Sequence, residues 1–187
     1  MTWAAVILTG GTSSRMGGVD KVALERAGRS LLAHALEAVA GAGEIVVVGP
    51  EVSAPPGVRF VREEPPGGGP LAGIAAGVAT LTPGHERVVV LAGDMPRVTG
   101  ATVARRLAAA VEDDADGAWL TDASGRRQLA GAGAPALVPA MSQAWGAPVR
   151  LLMTAGRARD VPAIEGEADD VDTWGDAARL GLDPRRT

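Results

Sequence analysis

A glycine-rich loop directly after a short apolar run is the feature that most constrains this chain. The run extends from Ala4 to Thr9, and glycines follow it at once. Such a short, continuously hydrophobic run is typical of a strand buried on both faces in a parallel sheet. The loop combines its glycines with hydroxyl side chains and two cations, Arg15 and Lys21. Because backbone N–H groups of a glycine-rich loop approach anions closely, this loop has the chemistry to hold phosphates.

Lys21 is the only lysine among the 18 basic residues, and all the others are arginine. Asparagine and tyrosine are also absent, and all three residue types have A/T-rich codons, so a G/C-rich coding bias replaces lysine wherever arginine serves. A lysine kept against that bias indicates a site where arginine does not serve. The loop matches neither the Walker pattern nor Gly-x-Gly-x-x-Gly, so on glycine content alone a plain turn is an equally good interpretation.

Strand-like and helix-like patterns alternate along the rest of the chain. Strands are predicted at 45–48, 58–61, 88–92 and 161–164, a hairpin at 117–130, and helices at 31–39, 71–79, 99–111, 135–145, 149–155 and 173–180. The alternation is the signature of the α/β class, and the hairpin adds antiparallel strands. We therefore predict a three-layer α/β/α domain around a Rossmann-like mixed, mostly parallel sheet.

Length and charge limit the organisation and the partners. A chain of 187 residues suits one domain over 1–187, because two halves would each bury too little surface. The net charge of -4 disfavours a nucleic-acid partner. No cysteine is available for a disulfide or a thiolate metal site. The chain has neither a signal-peptide pattern nor an apolar run long enough to span a membrane, so we expect a cytoplasmic protein without a membrane partner.

Asp94 directly follows the most hydrophobic predicted strand, within the sequence Gly-Asp-Met-Pro. Ligand sites of open α/β sheets lie at the carboxyl ends of the strands. Magnesium binds one or two carboxylates together with phosphate oxygens, so Asp94 is our candidate magnesium ligand. The alternative is that Asp94 only forms an Asx-turn before the proline.

Two further acidic groups are weaker candidates. Glu63 and Glu64 precede a rigid proline- and glycine-rich turn, where a carboxylate can accept hydrogen bonds from the N–H groups of a guanine. Asp169, Asp170 and Asp172 lie near the carboxyl terminus, and any of them is a possible second carboxylate beside the metal. For both groups the common alternative is that the carboxylates are ordinary solvent-exposed surface residues.

Three motifs, in this order, resemble those of the molybdenum cofactor guanylyltransferases. They are residues 8–17 (LTGGTSSRMG) with Asp20-Lys21, residues 69–74 (GPLAGI) and residues 93–96 (GDMP). The resemblance implies a fold of the nucleotide-diphospho-sugar transferase type. It also implies a magnesium-dependent enzyme that transfers GMP from GTP to the molybdenum-carrying molybdopterin cofactor and releases pyrophosphate. The family often has asparagine at the position of Asp172.

The resemblance also implies roles for individual residues. Nucleotide binding is expected from Leu8, Thr9, Gly10, Gly11, Lys21, Glu63 and Asp94, with Lys21 on phosphate, Glu63 near the base or ribose, and Asp94 on Mg²⁺. Arg15, Lys21 and Asp94 are the expected catalytic residues, because nucleotidyl transfer depends mainly on positioning and charge neutralisation. His34 and His85 are expected to take no part.

The sequence is also compatible with other functions. The nearest is a cytidylyltransferase that acts on the same pterin, and a more distant one is a nucleotidyltransferase for another phosphorylated small molecule. A non-catalytic nucleotide-binding protein is the alternative from a different class. GTP and the molybdopterin cofactor are the expected substrates, with transient contacts to proteins that deliver or accept molybdenum cofactor.

Overall fold

A seven-stranded sheet runs through the computed structural model, which describes residues 1–10 and 16–183. Its strands are β1 (Trp3–Leu8), β4 (Glu44–Val48), β5 (Val58–Val61), β6 (Arg87–Ala92), β7 (Gly117–Thr121), β8 (Arg127–Gly133) and β9 (Ala158–Pro162). A separate hairpin consists of β2 (Glu25–Arg26) and β3 (Arg29–Ser30). The helices are α1 (Leu31–Ala38), α2 (Pro70–Ala79), α3 (Gly100–Ala109), α4 (Met141–Ala144), α5 (Arg150–Met153) and α6 (Trp174–Leu180).

The strand order is β5-β4-β1-β6-β8-β7-β9. Strand β8 is antiparallel to both of its neighbours, whereas β1 is parallel to β4 and β6, β4 to β5, and β7 to β9. From β1 the chain adds β4 and then β5 on one side, and β6 then pairs with the other side of β1. The crevice between β1 and β6 is thus a topological switch point, the position at which α/β sheets bind ligands. The predicted mixed, mostly parallel sheet is confirmed.

Helices cover both faces of the sheet. On one face, Ile7 of β1 and Leu91 of β6 belong to a core cluster that includes residues of α1 and α3. On the other face, Val6 and Val90 belong to a cluster with residues of α2, α4 and α5. Because successive side chains of a strand point to opposite faces, each apolar strand contributes to both cores. This arrangement is the predicted α/β/α layering.

Helix boundaries follow the capping residues. Ser30, Thr99 and Thr173 each accept a hydrogen bond from a backbone N–H three residues later, at the starts of α1, α3 and α6. Such hydroxyl caps satisfy N–H groups that the first turn of a helix leaves unpaired. All three helix starts agree with the sequence prediction.

The predicted helix over 135–145 is wrong. The structure has only a 3-10 turn at Pro135–Leu137, followed by the short helix α4. Pro139 lies between them, and proline in a helix interior removes a donor and clashes with the preceding turn. Val138 before it is extended, with φ -78° and ψ 119°, as expected for a residue that precedes proline.

The last helix closes a third, smaller apolar cluster beside the first loop. Leu24, Val171 and Leu180 are buried there together. The hairpin strand β2 is tied to this region, because the backbone groups of Glu25 and Asp183 exchange hydrogen bonds of 2.9 Å. No helix among the described residues is both long and apolar enough to cross a membrane. The third cluster therefore anchors the carboxyl-terminal segment next to the carboxyl end of β1.

Candidate active site

The carboxyl ends of β1 and β6 are held side by side. Leu8 is paired with Ala92 in the sheet, and the N–H of Gly93 donates to the carbonyl of Leu8 at 2.8 Å. A Cβ atom at Gly93 would lie 3.1 Å from that carbonyl oxygen, so the close approach favours glycine. Thr9 follows β1 and Gly93 follows β6, so these two residues lie side by side in one wall of the site. Thr9 is fixed in turn by hydrogen bonds from its N–H and Oγ1 to the carbonyl of Val48.

Asp94 extends from this wall into a cleft. Its side chain is 25% exposed, and its backbone carbonyl accepts a hydrogen bond from Val171 N–H at 3.2 Å. Burial raises the pKa of the Asp94 carboxyl, and the positive charge of Lys21 opposes that rise. A half-buried carboxylate at a strand end is therefore available to an incoming cation.

Lys21 provides the positively charged side chain of the site. It begins a 3-10 turn, Lys21–Ala23, whose cap is Asp20; the Asp20 side chain accepts from Val22 N–H at 3.2 Å. The Lys21 Nζ lies 2.7 Å from Asp172 Oδ1 and 3.6 Å from Asp94 Oδ2. Burial alone would lower the pKa of Lys21, but the hydrogen bond to Asp172 and the charges of both carboxylates together raise it. The Lys21 amine is therefore protonated at neutral pH.

The three aspartates near the carboxyl terminus have different surroundings. Asp169 pairs with Arg179 at 3.3 Å. Asp170 and Asp172 line the same cleft as Asp94. The buried side chain of Val171 and the Val171 N–H bond to Asp94 fix the segment that carries them. Of the candidate second carboxylates, Asp170 and Asp172 therefore lie at the site, whereas Asp169 is engaged in an ion pair beside it.

The cleft is a cavity of about 860 Å³. The candidate carboxylates Asp170 and Asp172 line it, together with six of the seven predicted nucleotide-binding residues: Leu8, Thr9, Gly10, Lys21, Glu63 and Asp94. Gly11 and Arg15 lie outside the described residues. Val22, Val48, Gly49 and Leu129 also line the cavity and were not singled out from the sequence, because sheet order and loop packing bring them here. A cavity of this size is in the range that holds a small-molecule ligand.

Glu63 supports the glycine turn at the cavity entrance. Its Oε1 accepts from the N–H of Gly67 at 3.3 Å. Gly67, Gly69 and Pro70 all line the cavity, whereas the exposed neighbour Glu64 does not. Between the two glutamates considered from the sequence, Glu63 is the one at the site. Its predicted contact with a base or ribose stays a prediction.

A second cavity of about 660 Å³ adjoins the first one. The two cavities share a wall formed by Ala92, Asp94, Leu129 and Asp170. Three arginines line the second cavity: Arg126 and Arg127 come from the β7–β8 hairpin and Arg150 comes from α5. Three aspartates, Asp94, Asp160 and Asp170, line it as well. This second cavity was not predicted; the adjacent arginines after the hairpin turn were the available signal.

The three arginines differ in how they are used. Arg127 donates from Nε to Asp160 at 2.6 Å and from its two terminal nitrogens to the carbonyls of Met153 and Ala158. Within residues 1–10 and 16–183, the guanidinium groups of Arg126 and Arg150 make no hydrogen bond or ion pair. Both residues are exposed. Arg127 thus holds the cavity wall, and Arg126 and Arg150 are available to an anion.

The donor set of the first cavity fits a shared magnesium site. Among the described residues, no group of three or more His, Cys, Asp and Glu side chains is arranged to hold a metal ion. The carboxylates present are nevertheless hard oxygen donors, and magnesium needs only one or two of these when phosphate oxygens and waters complete its shell. Asp94 therefore fits a metal that arrives with a phosphate ligand.

A family model and several curated relatives match this chain. The family model described as MobA-like NTP transferase domain matches residues 5–169. A molybdenum cofactor guanylyltransferase from Bradyrhizobium sp. (strain ORS 278) is 40% identical over 119 residues, which are 59% of this chain and 56% of the relative. The match thus spans about half the length of that curated relative.

Solved structures share the fold over almost the whole chain. Rv0371c from Mycobacterium tuberculosis has a TM-score of 0.76 at 23% identity, covering 96% of this chain and 97% of that one. A second structure of that protein, a complex with manganese, has a TM-score of 0.67 at 21% identity, covering 96% and 98%. The 2-C-methyl-D-erythritol 4-phosphate cytidylyltransferase from Thermus thermophilus has a TM-score of 0.67 at 21% identity, covering 94% and 95%. At these identities the likeness establishes the fold alone.

Proposed function

The chain belongs to the MobA-like NTP transferase family, and on that premise we propose that it transfers GMP from GTP to the molybdopterin cofactor. The acceptor carries a terminal phosphate, and the products are a pyrophosphate-linked dinucleotide and free pyrophosphate. The similarity to molybdenum cofactor guanylyltransferases supports this choice within the family.

The observation that carries the proposal is the convergence of one lysine and two aspartates in a single cavity. Lys21 lies within 3.6 Å of Asp94 and within 2.7 Å of Asp172. The cavity lies at the switch point of the sheet, and Lys21 is its one cation among the described residues. A cation beside carboxylates that suit magnesium is what a metal-bound triphosphate needs.

Asp94 would hold the magnesium ion in this site. When bound, the ion neutralises charge on the triphosphate and on the pyrophosphate that leaves. Lys21 adds a second positive charge, and the backbone N–H groups after β1 orient the phosphates. Asp172 keeps the Lys21 amine at its position beside Asp94 through the 2.7 Å hydrogen bond. The roles of Gly11 and Arg15 in the same loop stay predictions.

The proposed reaction is an in-line displacement at the α-phosphorus of GTP. An oxygen of the acceptor phosphate forms the new bond, the bond from the α-phosphorus to the bridging oxygen of the β-phosphate breaks, and pyrophosphate leaves. A phosphate nucleophile is already ionised at neutral pH, so no general base is needed. No histidine is among the described residues that line either cavity. His34 and His85 contact Arg26 and Glu44 instead.

The second cavity offers two guanidinium groups to an anionic acceptor, beside the aspartates that also line it. Asp94 is part of the wall that the two cavities share, so an acceptor in the second cavity would lie next to a nucleotide in the first. Arg126 and Arg150 offer guanidinium groups, which suit phosphate. We assign these two residues to acceptor binding and the first cavity to the nucleotide.

A cytidylyltransferase is the second candidate. The fold it requires is present, since a cytidylyltransferase from Thermus thermophilus is among the similar structures. The matched guanylyltransferase sequence favours GTP over CTP.

The test is turnover with molybdopterin cofactor and each nucleotide in turn. We expect pyrophosphate release and formation of the guanine dinucleotide with GTP, at least tenfold faster than with CTP or ATP. A preference for CTP would assign the cytidylyl reaction instead. Absence of pyrophosphate release with all three nucleotides, while magnesium-dependent binding persists, would refute transfer to this acceptor.

A further inference from the structure

The nucleotide cavity has one wall made of a glycine turn, residues 67–70. Gly67 and Gly69 have φ angles of +91° and +85°, which other residues rarely adopt. Gly69 caps α2 without any side-chain hydrogen bond. Glycine has more conformational freedom to lose than any other residue, so such a turn keeps its shape only if neighbouring groups hold it. Glu63 holds it from one side by accepting from Gly67 N–H.

Trp145 holds the turn from the opposite side. A Cβ atom built on Gly68 would lie 2.4 Å from Trp145 Cε3 and 2.7 Å from Cζ3, so the indole lies directly against the glycine. The next residue, Gly146, donates its N–H to the Gly68 carbonyl at 2.9 Å. Gly68 is buried between its neighbours, whereas Gly67 and Gly69 on either side face the cavity. The indole and this hydrogen bond therefore fix the middle of the turn.

The position of Trp145 is not explained by core packing. The residue is 40% exposed, and it belongs to neither of the two core clusters that flank the sheet. It ends α4, a helix of four residues, far from Gly68 in sequence. A large aromatic ring at the surface that contacts a glycine turn excludes side chains from that turn and limits its motion.

We propose that Trp145 is a positioning residue for the nucleotide, which keeps the Gly67–Pro70 turn in the shape that receives it. The inference rests on the proposed function, because it takes the first cavity as the nucleotide site. Trp145 does not line that cavity and acts through Gly68. Its removal leaves the reacting groups Lys21 and Asp94 untouched, so the effect falls on nucleotide affinity.

The test compares GTP binding in the presence of magnesium, thermal unfolding and steady-state kinetics for Trp145→Ala, Trp145→Phe and a control. The control is Leu151→Ala, which removes another exposed apolar side chain six positions later in the same segment. We expect Trp145→Ala to bind GTP roughly tenfold more weakly, through lost preorganisation, with kcat at saturating GTP within about twofold of the wild type. Trp145→Phe, which keeps an aromatic ring, should recover most of the affinity, and Leu151→Ala should bind as the wild type does.

Two results would overturn the inference while leaving the proposed function intact. One is wild-type affinity in Trp145→Ala. The other is a loss of affinity that Trp145→Phe does not recover, or a loss that parallels the drop in unfolding temperature across all three variants. Either pattern marks a residue that acts only on stability. If Trp145→Ala does not fold, Trp145→Leu, which keeps an apolar side chain without the flat ring, takes its place with the same expected loss of affinity. A wild-type protein that binds no nucleotide would instead refute the proposed function and this inference together.

Discussion

The Lys21 amine and the Asp172 carboxylate are 151 positions apart in the chain and 2.7 Å apart in the structure. Lys21 belongs to the segment after the first strand, and Asp172 precedes the last helix. The contact therefore closes the candidate site only when both ends of the chain are folded. It also places the one lysine of the chain beside Asp94, at the carboxyl ends of β1 and β6.

Replacing Lys21 by arginine should fail to preserve activity. The Lys21 amine is a compact charge that fits between Asp94 and Asp172, whereas a planar guanidinium is larger and pairs with a carboxylate in a fixed geometry. We expect Lys21→Arg and Lys21→Ala both to lower turnover by roughly 100-fold, the order seen when one charge-stabilising group is lost. Arg29→Lys, at an exposed ion pair with Glu37, is the control and should be fully active. Near-normal turnover in Lys21→Arg would refute the role given to the lysine.

Asp94→Asn should stabilise the fold while it removes activity. Burial raises the pKa of Asp94, so the folded state binds this proton more tightly than the unfolded chain does. Ionisation of Asp94 therefore costs stability as the pH rises through its folded-state pKa, and the neutral amide avoids that cost. Thermal unfolding of both proteins from pH 4 to 8 measures the effect. We expect the variant's advantage to grow with pH; a variant less stable than the wild type at neutral pH would contradict the argument.

Arg126 and Arg150 should govern the acceptor and not the nucleotide. Both line the second cavity with guanidinium groups that are free of partners within the described residues. We expect Arg126→Ala and Arg150→Ala each to raise the KM for molybdopterin cofactor about tenfold, the order of one lost hydrogen bond to a charged group. The affinity for GTP should not change. Arg157→Ala, an exposed arginine that lines neither cavity, is the control. An equal loss of GTP affinity would show that the assignment of the two cavities is wrong.

Glu167→Gln should destabilise the fold without touching the site. Glu167 is buried and accepts from Thr102 Oγ1 at 2.5 Å, Arg105 at 2.5 and 3.0 Å, and Ile164 N–H at 3.0 Å. We expect a loss of about 2 kcal/mol in unfolding free energy by denaturant titration, because a buried network loses its charge. The exposed Glu165→Gln serves as the control.

The pH dependence of the same network gives a second readout. Burial alone would raise the pKa of Glu167, but the hydrogen bonds from Arg105 and Thr102 outweigh it and lower that pKa. A lowered carboxyl pKa contributes stability that is present above the unfolded-state pKa and is lost as the pH falls through the folded-state value. The difference in stability between wild type and Glu167→Gln should therefore shrink below about pH 4.5. A difference that stays constant down to pH 3 would contradict this explanation.

Local signals in the sequence predicted most of the fold. The apolar run before the first loop, the caps at Ser30, Thr99 and Thr173, and the hairpin over 117–130 all depend on neighbouring residues, and all are present in the structure. The helix predicted over 135–145 is absent because the apolar pattern continues across Pro139, which interrupts the helix. Periodicity alone does not register a missing backbone donor.

Local signals also predicted part of the candidate site. Asp94 and the first loop follow directly from strand ends, and strand ends are visible in the sequence. The pairing of Lys21 with Asp172 depends on how the last segment returns to the first strand, which no local pattern encodes. The second cavity depends on the β7–β8 hairpin and α5 lying close to each other. Such long-range contacts require the fold itself.

Magnesium-dependent binding of GTP, CTP and ATP, measured by titration calorimetry on the wild type and on Asp94→Asn, tests the central claim most directly. The account predicts that the wild type binds GTP more tightly than the other two nucleotides, and that chelation of magnesium and the Asp94→Asn substitution each abolish this binding. Equal binding of all three nucleotides, or GTP binding that is unaffected by both treatments, would contradict the assignment of this cavity as the GTP site.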